Sequence, residues 1–276
     1  MHDDQIPKTL IKNVKTKTAM KKIIFSTIAA LLVTASSFAQ EYKLAKSTGK
    51  LVISTPGVTV EGYDGNEIIF TGKEKDGDED ERAKGLRPVS ASGLQDNTGL
   101  GINVADKGTT VEVTQVGKGA EKIKIKVPKG ISISYSFNKV MGNTTATFKN
   151  IESEIEVSVQ YNKINLENVT GPLTIKSVYG GIDVKFGQNI KGPVSLVSVY
   201  GYVDVSMSTA TKANLKMNTS WGEILASADF KIEIEKSGSA DMVSYSDNHI
   251  KGKLNGGGID MTLTSSYGKV YLRKSN

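Results

Sequence analysis

Two stretches of this chain are near copies of each other, 21 residues apart: Gly171-Pro-Leu-Thr-Ile-Lys-Ser-Val-Tyr-Gly-Gly-Ile-Asp-Val184 and Gly192-Pro-Val-Ser-Leu-Val-Ser-Val-Tyr-Gly-Tyr-Val-Asp-Val205. The same step carries Tyr179 and Tyr200 on to Trp221, Gly180 and Gly201 to Gly222, and Ile182 and Val203 to Ile224. Upstream, Tyr161-Asn-Lys-Ile-Asn-Leu repeats the pattern at an offset of 18, and Tyr267-Gly-Lys-Val-Tyr-Leu is a further copy near the C-terminus. Each copy holds two short strands and an aromatic-glycine corner. A unit so small cannot offset its own ordering entropy with the few apolar side chains it carries, so it must stack on its neighbours.

Stacking predicts an all-β chain, a parallel β-solenoid of the single-stranded β-helix type with coils of about 18–21 residues lying about 4.8 Å apart. Leu173/Val194 and Ile175/Leu196 then form interior columns on one sheet. Ile182/Val203/Ile224 and Val184/Val205/Ala226 form them on another. Glycine at 180, 201 and 222 suits a corner that needs either positive φ or close backbone approach. The rest of the chain agrees, since Leu51-Val-Ile-Ser, Ile123-Lys-Ile-Lys-Val, Ile131-Ser-Ile-Ser and Ile155-Glu-Val-Ser-Val alternate with period two, and no window carries a helical apolar stripe. A single domain over 40–276 is expected, with the strands from Leu44 to Phe70 closing one end. Residues 71–97, with Lys73-Glu-Lys-Asp-Gly-Asp-Glu-Asp-Glu-Arg at their centre, read as a mobile charged loop.

The N-terminus reads as an address. Met20-Lys-Lys precedes an apolar run from Ile23 to Val33 and the small-residue stretch ending Ser37-Phe-Ala39, the order of a secretory signal peptide. Translation is expected to start at Met20 and cleavage to follow Ala39, with residues 1–19 an upstream extension. The full chain has net charge +6, from 35 basic and 29 acidic residues; without residues 1–39 the counts become 29 and 27, or +2. That removes most of the basic excess that would argue for nucleic acid. The absence of cysteine excludes a disulfide scaffold, a thiolate metal site and a lipidated N-terminal cysteine. No second long apolar run offers a membrane span. An exported protein follows, in the periplasm, on the outer surface or secreted.

With only His2 and His249, triad and multi-histidine metal chemistry have no residues to draw on. His249 reads as part of an exposed loop, and Asn255-Gly-Gly-Gly258 as a tight turn. The acidic run from Asp76 to Glu81 lacks the ordered spacing of a calcium loop, and lysines flank it. The column Tyr161, Tyr179, Tyr200 and Trp221 is a sugar-stacking platform if it faces solvent. Strand parity, however, groups Tyr179 with Leu173 and Ile175, and Tyr200 with Val194 and Leu196, so a structural ladder, buried or filling the corner, is expected. Asp183 and Asp204 alternate out of phase with their apolar neighbours and should project outward as a carboxylate pair, able to touch a cation or a ligand. No metal, cofactor or catalytic residue is assigned.

Val60-Glu-Gly-Tyr-Asp-Gly-Asn-Glu-Ile, Gly93-Leu-Gln-Asp-Asn-Thr-Gly-Leu-Gly-Ile-Asn-Val and the Gly-Pro-Leu-Thr-Ile-x-Ser-x-Tyr-Gly-x-Ile coils resemble an exported bacterial adhesin-type domain family of unknown function. That family is a β-solenoid type similar to autotransporter-adhesin-head-like domains. The resemblance implies an exported, non-enzymatic surface or periplasmic protein. A rigid stack of this kind displays rows of side chains to a glycan or protein partner, and its open ends invite self-association. Two rival readings stand beside it: a polysaccharide lyase or hydrolase using Asp183 and Asp204, and a periplasmic accessory of envelope-stress signalling.

Overall fold

A computed structural model describes residues 41–72, 81–83, 85–86, 88–116, 123–140, 144–235 and 248–275. The stretches read as an upstream extension, a signal peptide and its cleavage site lie outside the described residues, as does most of the acidic run. The strands are β1 (Glu41–Leu44), β2 (Thr48–Ser54), β3 (Val58–Tyr63), β4 (Ile68–Thr71), β5 (Ile102–Asp106), β6 (Thr110–Gln115), β7 (Ile123–Pro128), β8 (Gly130–Phe137), β9 (Thr145–Lys149), β10 (Ile155–Val159), β11 (Lys163–Val169), β12 (Leu173–Ser177), β13 (Ile182–Phe186), β14 (Val194–Ser198), β15 (Val203–Met207), β16 (Ala213–Thr219), β17 (Ile224–Ala226), β18 (Ile232–Ile234), β19 (His249–Leu254), β20 (Ile259–Ser265) and β21 (Val270–Lys274). The only helical element among the described residues is a 3-10 turn, Glu81–Ala83.

The strands form an 11-stranded sheet, β18-β19-β16-β20-β14-β12-β10-β8-β2-β6-β5, and a 10-stranded sheet, β1-β4-β7-β3-β9-β11-β13-β15-β21-β17. One strand from each makes a rung, and rung on rung pairs in parallel, giving a solenoid-like, parallel-rich stack. Period-two alternation sends every second side chain inward. One column runs Leu51, Ile133, Ile155, Leu173, Val194, Met261, Leu215, all buried. Facing it runs Val60, Phe148, Leu166, Val184, Val205, Leu272. Among the described residues no buried side-chain nitrogen or oxygen lacks a hydrogen-bond partner.

Rung order departs from chain order at both ends. The rung β20/β21, last in the chain, sits between β14/β15 and β16/β17. The rung β2/β3 sits between β6/β7 and β8/β9. The column expected from spacing as Ile182/Val203/Ile224 is therefore Ile182/Val203/Val270/Ile224. By the same insertion, Val184/Val205/Ala226 gains Leu272 before Ala226. Antiparallel strands close three of the four sheet ends: β5 on β6, β4 and β1 beyond β7, and β19 and β18 beyond β16. Of the segment read as an end cap, β1 and β4 do lie at a sheet end, whereas β2 and β3 are interior.

The C-terminal half of the expected charged loop is tied down. Val89 and Gln95 form an antiparallel bridge. The buried Asp96 carboxylate accepts from Thr98 N, Thr98 Oγ1, Gly99 N and Gly101 N at 2.8–3.0 Å. Burial pushes its pKa up, and these donors more than reverse that, holding the carboxyl below its usual range.

Candidate functional site

Four turns from the 11-stranded into the 10-stranded sheet, those after β12, β14, β20 and β16, are built by the sequence Ser/Thr-x-aromatic-Gly; after β10 the same position reads Val159-Gln-Tyr-Asn162, with Val159 in the last inward place. Strands β12, β14, β20 and β16 end on Ser177, Ser198, Ser265 and Thr219, whose hydroxyls point inward and are buried. Each hydroxyl accepts the N–H of the glycine three residues on: Gly180, Gly201, Gly268 and Gly222, at 2.9–3.0 Å. Ser198 also donates to Gly180 O at 3.0 Å, Ser265 to Gly201 O at 2.7 Å and Thr219 to Gly268 O at 3.1 Å. A chain of buried hydroxyls thus stitches corner to corner. Glycine is required here by proximity: a Cβ on Gly201 would lie 2.2 Å from Gly180 O, and one on Gly222 1.9 Å from Gly268 O.

Because the corner starts after the inward Ser or Thr, the aromatic two residues later leaves the strand alternation and turns to solvent. Tyr161, Tyr179, Tyr200 and Tyr267 stack in that order, with centroids 5.0, 5.0 and 4.9 Å apart and planes within 8–11° of parallel. Tyr179, Tyr200 and Tyr267 are each 52% exposed and Tyr161 36%. The parity argument for a buried ladder is corrected by this geometry, since Ser177 and Ser198, rather than the tyrosines, hold the last inward positions. Trp221 is corrected too. It occupies the rung beyond Tyr267, with Trp221 N donating to Ser266 O at 3.0 Å, and its indole is 76% exposed with no ring contact among the described residues.

Asp183 and Asp204 are Cα partners on the outer face of β13 and β15. Each carboxylate has its own cation, supplied by a different rung. Lys163 Nζ lies 2.9 Å from Asp183 Oδ2, and Tyr202 Oη donates to the same oxygen at 2.9 Å. Arg273 Nε donates to both oxygens of Asp204 at 2.8 and 2.9 Å. The pair is thus neutralised by side chains, with no call for a shared proton or a bound ion. The Asp183 contact holds the Lys163 ammonium above the usual lysine range, and burial raises the Tyr202 phenol.

Lys163, Tyr202, Tyr271 and Arg273 were not picked out by sequence reasoning. Arg273 lies 4.9 Å over the Tyr271 ring, and Tyr202 meets Tyr271 edge-on at 6.4 Å. Their common signal is the outward phase of β11, β15 and β21, visible only once β21 is known to lie beside β15. An open groove of about 650 Å³ follows Tyr271 and Arg273 to Leu225 and Asp229. His249 starts β19, its Nδ1 2.7 Å from Asn218 Oδ1. Asn255, Gly256 and Gly257 turn in the left-handed region at φ 50, 79 and 88°. Among the described residues no three His, Asp or Glu side chains gather to hold a metal, and no helix is long and apolar enough to cross a membrane.

Residues 142–272 match the sequence profile of the Toastrack family, DUF4097, in agreement with the resemblance read from the coil motifs. The crystal structure of a "putative cell adhesion protein" from Clostridium sporogenes ATCC 15579 is similar at a TM-score of 0.44 and 14% identity, covering 86% of this chain and 100% of that one. No curated protein matches the chain.

Proposed function

We propose that this chain, matched to the Toastrack family over its C-terminal half, is an exported, non-enzymatic binding scaffold of the bacterial envelope. Its aromatic corner meets a surface glycan or an envelope protein. The observation that carries the reading is the solvent-facing row Tyr161, Tyr179, Tyr200, Tyr267 at one ring per rung. Exposed aromatics in a contiguous row are unusual for a surface that only faces water. Rings held rigidly by stacking lose little entropy on contact, and repeated weak contacts along a row combine through avidity. Trp221, on the rung beyond Tyr267, extends the row with a residue type that anchors interfaces.

The test is retention of the purified chain on envelope preparations from the source cells. Wild type should be retained, and Tyr200→Ser/Trp221→Ala should lose most of that retention while still unfolding in a single cooperative thermal transition. Equal retention of the two proteins would refute the aromatic corner as the contact surface. Turnover of a glycan panel that disappears in Asp183→Asn/Asp204→Asn would refute the non-enzymatic reading.

A further inference from the structure

Across each rung from the aromatic corner, where the chain turns back from the 10-stranded sheet, the corner is built from amides. Asn150 and Asn168, 18 residues apart, follow or sit at the ends of β9 and β11 with φ of 54 and 52°, a left-handed geometry that asparagine tolerates better than most residues. Asn168 Nδ2 donates to Asn150 Oδ1 at 2.8 Å, starting a ladder of the kind that stacked rungs favour. In the next rung the ladder stops, because the position facing Asn168 Oδ1 is Gly187, where even a Cβ would come within 2.8 Å of that oxygen. Among the described residues no donor reaches Asn168 Oδ1. It opens into a groove of about 520 Å³ that crosses successive rungs from Tyr63 to Lys191.

The charges along this groove cancel. Lys129 lies 2.9 Å from Asp64 and 3.3 Å from Glu152, and Lys191 lies 3.0 Å from Glu152, so two cations and two anions form one chain. A phosphate or a uronate would have to compete with these carboxylates for the lysines, and a metal ion would have to compete with the lysines for the carboxylates. What remains available is a set of neutral donors and acceptors, the Asn168 amide oxygen and the exposed Gln188 and Asn189 amides, beside the half-buried Tyr63 ring. That set matches a chain of hydroxyls with apolar ring faces, oriented along the stack.

We propose that this groove is a binding site for a neutral oligosaccharide, separate from the aromatic corner and independent of what that corner binds. Calorimetric titration of the purified chain with chito- and malto-oligosaccharides, and with oligogalacturonates as the acidic comparison, tests it. Binding of a neutral series is expected, with the acidic series at least about tenfold weaker. Gln188→Ala/Asn189→Ala, in an exposed turn, should weaken neutral binding about tenfold at an unchanged unfolding midpoint, and Trp221→Ala should leave it unchanged. The proposal is overturned if neither neutral series binds, if the acidic series binds as well or better, or if the rim variant binds like wild type. Loss of binding in Trp221→Ala alone would transfer the saccharide to the aromatic corner and equally overturn it.

Discussion

The middle of the stack and its two ends obey the same pairing chemistry but not the same order. From β8/β9 to β14/β15 each rung lies on the one synthesised just before it. At the ends, β2/β3 and β20/β21 are each inserted one place inward, between rungs that are distant in sequence. A parallel ladder requires matching register and inward phase, and Leu196, Leu263 and Met217 satisfy both as well as any sequential set would. It does not require succession. Insertion gives the terminal rungs two neighbours instead of one and leaves antiparallel strands to close three sheet ends, which blunts edge pairing with other chains.

The sharpest break of that comparison is truncation. Deleting residues 259–276 would take Met261, Leu263, Val270 and Leu272 out of the middle of the core. Truncating such side chains singly costs about 2–5 kcal/mol each, against a total domain stability of about 5–15 kcal/mol. The truncated chain should show no cooperative thermal transition by circular dichroism; a frayed C-terminus would instead leave the midpoint near that of wild type.

Next in size is Gly201→Ala, which places a methyl group against Gly180 O and should cost about 3 kcal/mol or more in urea unfolding. Gly108→Ala, in an end turn with open space around its Cβ and φ of 79°, should cost only about 1–2 kcal/mol. Equal losses would deny the corners their special tightness.

Asp96, beside the end strand β5, supplies a pH-dependent contrast. Its folded pKa lies below the unfolded value, so its stabilisation is fully present above the ordinary carboxyl range and fades as pH falls through the folded pKa. Asp96→Asn should lose about 1–3 kcal/mol at neutral pH, and the gap to wild type should close in urea titrations as pH falls below the ordinary carboxyl range and through the lowered folded pKa. A gap that persists there would assign the effect to packing. The smallest effect is expected on the exposed outer face, where Arg273→Gln should cost under about 1 kcal/mol because the Asp204 pair is solvent-screened.

Strand positions, inward columns and corner glycines could be read from period and spacing because they depend on residues a few places apart. Rung order could not. Tyr267-Gly268 is recognisable as a copy, but it lies 46 residues beyond Trp221, and nothing local says which rung it joins. The aromatic column was legible as a column and misjudged in its facing, because alternation was carried two residues past the end of β12, where Ser177 already fills the inward position. The clue was the Ser or Thr before each aromatic-glycine pair, whose buried hydroxyl the corner needs. Asp96 was hidden differently: its acidic neighbours made the segment look solvated, whereas the glycines after it supply the N–H donors that bury it. The pairing of Asp204 with Arg273 again depends on the inserted rung.

The inserted C-terminal rung can be tested by disulfide trapping, since the chain has no cysteine of its own. Ser195 and Thr262 are Cα partners on adjacent strands, and Thr262 in turn pairs with Lys216. Ser195→Cys/Thr262→Cys spans one strand spacing of about 4.8 Å, within disulfide reach, whereas Ser195→Cys/Lys216→Cys spans about twice that, beyond the roughly 7 Å limit. Under mild oxidation the first pair should cross-link nearly completely and the second should not. Efficient cross-linking of Ser195→Cys/Lys216→Cys, with none for Ser195→Cys/Thr262→Cys, would restore sequential coils and contradict the fold described above.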